Sequence, residues 1–178
     1  MLTIFQKTYW GVDLVIIVTY SIERLRLLTK SFTFYSKVAE MLIRNSTDLN
    51  IDLNARDLEG RTAFHLACGQ EHSELADVII KSSEETNIEL NAQDKDGWTP
   101  FHFVCVYGQS KIAEMLLCKY NSENSTLDKL NVPNKNGDTG FHLACFEGHR
   151  DLAELLLKHH VCCSEHHIKH GHAIRVDE

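Results

Sequence analysis

One unit, written three times, constrains this chain more than any other feature. "GRTAFHLACGQEHSELADVII" (Gly60–Ile80), "GWTPFHFVCVYGQSKIAEMLL" (Gly97–Leu117) and "GDTGFHLACFEGHRDLAELLL" (Gly137–Leu157) share a Thr-x-Phe-His core whose histidines recur after 37 and then 40 residues. Downstream, Ala39, Ala76, Ala113 and Ala153 keep the same spacing, and Asn54, Asn91 and Asn131 each precede a turn ending in Gly60, Gly97 or Gly137. Self-similarity at such a period predicts stacked units, because no single unit of this size can bury its apolar face alone.

The middle unit shows the local logic. "NAQDKDG" (Asn91–Gly97) is turn chemistry, with Asp and Asn side chains able to close local turns and Gly tolerating positive φ. Thr99 suits a helix N-cap, and Pro100 the first helical position, where a missing N–H costs little. "FHFVCVY" then reads as a short helix ended by Gly108. In "SKIAEMLLCKY", Ile112, Met115, Leu116 and Lys119 fall at helical spacing. Two short helices and a tight return predict an antiparallel pair.

These residues resemble the ankyrin repeat: an Asn-x-x-Asp-x-x-Gly turn, Thr-Pro-Leu-His-x-Ala, a Gly-His turn and a Leu-rich second helix. "NAQDKDGWTPFHFVC" and "NVPNKNGDTGFHLACFEGHRDLAELLL" carry the likeness, which spans about Ser36 to His160. The resemblance implies an all-α solenoid of stacked helix-turn-helix repeats with β-hairpin-like turns. The expected divisions are a divergent segment or cap over 1–35, a partial repeat over 36–53, repeats over 54–90, 91–130 and 131–160, and a His/Cys-rich tail over 161–178. Three departures stand out. The period exceeds the usual ~33 residues, and the excess falls in "KSSEETNIE" and "CKYNSENSTLDK", polar segments expected to be lengthened surface loops. Ala63 and Gly140 replace Pro, and Glu71 replaces the inter-helix Gly. The first unit keeps only "SKVAEMLI", with Leu25 where Thr is expected, which leaves open a cap helix or part of a larger protein.

Triplicated His and Cys invite a chemical reading, a metal site or a Cys–His nucleophile. Equivalent positions in adjacent stacked helices, however, lie roughly 8–10 Å apart. Zinc ligands must converge at about 2.0–2.3 Å from one metal, and disulfides rarely exceed a Cα separation of about 7 Å. The resemblance implies instead that Thr62, His65, Thr99, His102, Thr139 and His142 form a structural signature. In that reading the histidines hydrogen-bond the adjoining turns, and Cys68, Cys105 and Cys145 pack as small buried residues. "HHVCCSEHHIKHGH" (His159–His172) is different: six His and two Cys in fourteen residues are a composition that can bind Zn²⁺, Ni²⁺ or Cu ions. Its spacing matches no standard zinc module, so the expectation is a tail dispensable for folding, with metal binding as the alternative.

The remaining classes are narrowed by charge and by missing motifs. A formal net charge of −7 with no basic stripe argues against nucleic acid. "GVDLVIIVTY" (Gly11–Tyr20) is too short and too interrupted to cross a membrane. No phosphate loop, His-Glu-x-x-His or Cys-x-x-Cys is present, so neither an enzyme nor a cofactor is expected. The expected function is a non-enzymatic adaptor, scaffold or inhibitor, monomeric, in the cytoplasm or nucleus, holding a partner protein; the alternatives are a regulatory piece of a larger protein or a metal-binding protein. By the resemblance, the variable positions before each Thr and before each inter-helix turn face the concave side. Trp98, Val106, Tyr107 and Phe146 would form an apolar centre flanked by Arg61, Lys95, Asp96, Lys135, Asp138 and Glu147. A competing reading has Tyr107 and Phe146 merely covering the neighbouring helix pair.

Overall fold

The computed structural model describes residues 37, 40–48, 51–69, 73–122, 127–159 and 161. Residues 40–44 are helical. Three helix pairs follow: α1 (Ala63–Gly69) with α2 (Ser73–Ser82), α3 (Pro100–Val106) with α4 (Ser110–Ser122), and α5 (Gly140–Phe146) with α6 (Arg150–Lys158). A 3-10 turn, Leu127–Leu130, leads into the last pair. No strand occurs among the described residues. Each first helix packs on the first helix of the next pair and each second helix on the next second helix, which makes the expected all-α solenoid.

The first helices are seven residues long, too short to stand alone in water. Burial holds them. Phe64, Ala67 and Cys68 in α1 and Phe101, Val104 and Cys105 in α3 are all enclosed. The second helices bury one stripe each: Leu75, Ala76, Ile79 and Ile80 in α2, then Ile112, Ala113, Leu116, Leu117 and Tyr120 in α4, then Leu152 and Leu156 in α6. Each large side chain withdrawn from water contributes about 1.5–3 kcal/mol. The stripes join into one core running from Ile43 to Val161.

A finger precedes each pair. In each, a polar residue closes the loop with both its backbone and its side chain. Asp94 N–H donates to the Trp98 carbonyl (2.8 Å) and Gly97 N–H to the Asp94 carbonyl (3.1 Å). The Asp94 Oδ1 accepts from the Asp96 and Trp98 amides at 2.9 and 2.8 Å. Asn134 does the same for Asn136 and Asp138, and Asp57 for Glu59 and Arg61. Gly97 closes its turn at φ +78°, a value that L side chains rarely adopt. Neighbouring fingers are then tied in series, Lys95 N–H to the Glu59 carbonyl (2.9 Å) and Lys135 N–H to the Asp96 carbonyl (3.1 Å).

Two expectations about segments need correction. "CKYNSENSTLDK" is not simply a surface loop. Helix α4 runs on to Ser122, because Tyr120 extends its buried stripe and Lys119 Nζ reaches Glu84 Oε1 at 3.3 Å. In the same way Lys81 and Ser82 of "KSSEETNIE" belong to α2. Val161, expected to open a dispensable tail, is 1% exposed, and its N–H donates to the Leu156 carbonyl at 2.9 Å. Residues 1–36, Glu71 and residues 162–178, including most of the His/Cys stretch, lie outside the described residues.

Candidate functional site

The Thr-x-x-His pairs form the frame on which any surface site must sit. Thr99 is extended at φ −95°, ψ 163°, which aims its N–H back over the first turn of α3. That N–H donates to His102 Nδ1 at 2.9 Å, and Thr99 Oγ1 lies 2.8 Å from the same nitrogen. Thr62 and His65 repeat this at 3.0 and 3.0 Å, Thr139 and His142 at 3.1 and 3.1 Å. An Nδ1 that accepts an amide proton carries none of its own, so in a neutral ring the proton sits on Nε2. The Nε2–H of His65 donates to the Trp98 carbonyl and that of His102 to the Asp138 carbonyl, both at 3.1 Å. The His65 and His102 rings thus each cap their own helix and grip the next finger, with both nitrogens occupied.

Electrostatics agree with that assignment. Burial pushes the pKa of His65 and His102 below the ordinary imidazole value, against the opposing pull of the accepting carbonyls and of Asp94 and, for His102, Asp138. Burial likewise raises the Cys68 and Cys105 thiols, which leaves them protonated and unreactive. Among the described residues no group of three or more His, Cys, Asp or Glu side chains could hold a metal ion.

Several structural residues were missed by sequence reasoning. Gln109 Nε2–H donates to the Cys68 carbonyl at 2.7 Å, and His149 Nε2 meets the Val106 carbonyl at 2.8 Å. Each therefore satisfies the C-terminal end of the preceding unit's first helix. Their signal was positional, since both directly follow an inter-helix glycine. Asn54 donates from Nδ2 to the Asn87 carbonyl (2.7 Å) and accepts the Glu89 amide on Oδ1 (2.8 Å), which explains one of the register-marking asparagines. Gly140 has a packing reason: a Cβ there would meet Cys105 Sγ and two Phe101 ring carbons at 2.8 Å.

The candidate contact residues divide by exposure. Phe146 is 85% exposed and Tyr107 47%, at the same end of adjacent first helices. Trp98 is half-buried, its ring stacked at an angle on His102 (5.7 Å) and Phe103 (5.2 Å). Among the described residues no ring pair joins Trp98 to Tyr107 or Phe146. Val106 and Asp138 are also half-buried, whereas Lys95, Asp96, Lys135 and Glu147 are exposed. Arg61 is engaged within its own finger, Nε and Nη2 both 2.9 Å from Asp57 Oδ2. Burial opposes the Asp57 carboxylate, but the Arg61 and Glu59 amides and the Arg61 guanidinium outweigh it and hold the pKa below the usual value. Two features went unnoticed in the sequence. Leu58 stands 87% exposed at the tip of the first finger. Leu66, Phe103 and Leu143, each directly after a signature histidine, are all half-buried.

Comparison with known families meets this geometry from outside. A family model described as ankyrin repeats, in three copies, matches residues 30–128, and one described as ankyrin repeat matches residues 136–169. The second match runs past α6 into residues read from sequence as tail. No curated protein matches the chain. Ankyrin repeats are protein–protein interaction modules. Stacked helix pairs, serial fingers and Thr–His caps that bridge one unit to the next are joined by matches covering most of the sequence, and the chain belongs to the ankyrin repeat family.

Proposed function

We propose that this chain is a non-enzymatic, monomeric binding module of the cytoplasm or nucleus. It holds a partner protein on the side carrying its finger tips and first-helix ends. The observation that carries this reading is the pair Tyr107 and Phe146, large aromatics left in solvent at the C-terminal ends of adjacent first helices, one register position apart. Exposed apolar groups lined up on a rigid scaffold, with charged residues at their rim, are the usual make-up of an interface hot spot. Lys95, Asp96, Lys135 and Glu147 supply that rim, with Val106, Trp98 and Asp138 beside it. Arg61 contributes through the finger it stabilises. Trp98 is a less clean probe than the two exposed rings, because it also covers His102 and Phe103.

The test begins with affinity capture by the wild-type chain and identification of the captured protein by mass spectrometry. Purified partner is then titrated against Tyr107→Ala/Phe146→Ala. A hot spot predicts a loss of about 2 kcal/mol or more in binding with the melting curve unchanged. Unchanged affinity in the folded double variant would move the interface elsewhere, first to Leu58 and the finger tips.

A further inference from the structure

The histidine frame uses one ring nitrogen as an acceptor and the other as a donor, and only the acceptor can take up a proton. We propose that the Thr62–His65 and Thr99–His102 pairs are an acid-released latch: protonation of the rings frees the start of α1 and α3 while the bonds from the rings to the next finger stay made.

Adding a proton to His102 Nδ1 sets an N–H against the Thr99 N–H that now donates to it at 2.9 Å. The Thr99 hydroxyl, 2.8 Å away, can rotate to accept the new proton, but the Thr99 amide is then left in a buried place with no acceptor. The new charge also sits in the first turn of a helix, where the backbone dipoles disfavour a cation. The Nε2–H bond to the Asp138 carbonyl loses nothing, because Nε2 donates in both states. The same accounting holds for His65, Thr62 and the Trp98 carbonyl. The charged groups facing His65 are Asp94 on the next finger and Arg56 on its own; those facing His102 are Asp94 and Asp138. The carboxylates, and the Trp98 ring 5.7 Å from His102, favour the proton; burial and the acceptor role of Nδ1 oppose it, and the net displacement is toward the neutral ring. Arg61 and Trp98 immediately precede the two threonines, so release would loosen the row of candidate contacts. That consequence rests on the interaction reading, whereas the latch itself does not.

The experiment is residue-resolved amide exchange on the full chain by NMR at about pH 7.5 and about pH 5.5, each rate divided by its intrinsic value. The Thr62 and Thr99 amides should lose protection about fivefold to tenfold between the two conditions, through openings that low urea does not promote, whereas exchange of the Leu116 and Leu117 amides, which needs global unfolding, rises with urea. Imidazole nitrogen shifts should report Nε2–H rings at the higher pH. In His102→Gln, whose amide can accept and donate without titrating, the Thr99 response should vanish and that of Thr62 persist. Rings that titrate at or above the ordinary value, or Thr amides whose exchange rises with urea as that of Leu116 does, would overturn the latch, and both readings come from wild-type protein. Partner binding does not enter either reading.

Discussion

Gly140→Ala sets two physical effects against each other at one atom. The equivalent positions of the other units carry Ala63 and Pro100, so repeat logic and helix propensity both favour the change, the latter by at most ~1 kcal/mol. Packing opposes it. The added carbon would lie 2.8 Å from Cys105 Sγ and from two carbons of the Phe101 ring, where about 3.5–4.0 Å is comfortable. Neither neighbour has room to withdraw, since Phe101 is 1% exposed and Cys105 is fully enclosed. Forcing a methyl into a filled core costs about 1–3 kcal/mol, so the expected outcome is a net destabilisation of about 1–2 kcal/mol. Urea melts followed by circular dichroism would show it as a lower midpoint at unchanged slope. A second variant locates the cause. Phe101→Leu trims the clashing ring, so the cost of Gly140→Ala measured in that background should shrink, giving a coupling energy of about 0.5 kcal/mol or more. A Gly140→Ala chain as stable as wild type would refute the reasoning.

Four further outcomes follow from the same packing. His102→Ala should lower stability by about 1–3 kcal/mol in a urea melt, because it strands the buried Thr99 amide and removes the grip on the Asp138 carbonyl. Stability should hold above about pH 6.5 and fall as pH drops below it through the lowered folded values of His65 and His102, where the unfolded chain binds more protons; thermal melts across that window check this. The contribution of Asp57 has the same sign but is lost only further down, as pH falls from below its ordinary 3.8 through its lowered folded value. Ending the chain at Lys135 removes α5 and α6 and exposes the faces of Phe101 and Cys105; circular dichroism should show a largely unfolded product, and a melt matching the full chain would contradict the additive view of the array. A chain ending at Val161 should melt close to wild type without metal, whereas Val161→Ala should lose about 1–2 kcal/mol, since that side chain belongs to the core.

Much of this fold was legible because the same solution recurs. A turn residue, a glycine, a threonine and a histidine at fixed offsets in three units make coincidence untenable, and each has a local physical reason. What escaped the sequence depended on neighbours. The end of α4 is set by Tyr120, one buried ring in an otherwise polar run that reads as loop. Gln109 and His149 look like ordinary polar residues after a glycine; that they close the preceding unit's helix becomes visible only when the units are stacked. The candidate contact row shows the same limit. Trp98, Tyr107 and Phe146 are equivalent as letters, yet one leans on His102 and Phe103 while the others stand free of such cover.

The fit of Gly140 and His149 against the unit before them bears on how such an array could lengthen. Gly140 rests on Phe101 and Cys105, and the His149 ring fills the space above Gly108, where even a methyl would lie 2.5 Å from it. The unit that contributes Gly140 and His149 also offers Phe141, Cys145 and Gly148 at the positions those two residues would meet in a tandem copy. Gly148 has nothing within 4 Å of where a Cβ would stand. Duplicating that unit in frame would therefore reproduce two contacts already proven in the chain. Duplicating the Pro100 unit in the same place would bring a pyrrolidine ring and a glutamine instead. Recombination among near-identical repeats is blind to such differences, but folding is not, and the two sides of the Gly140 unit already match each other.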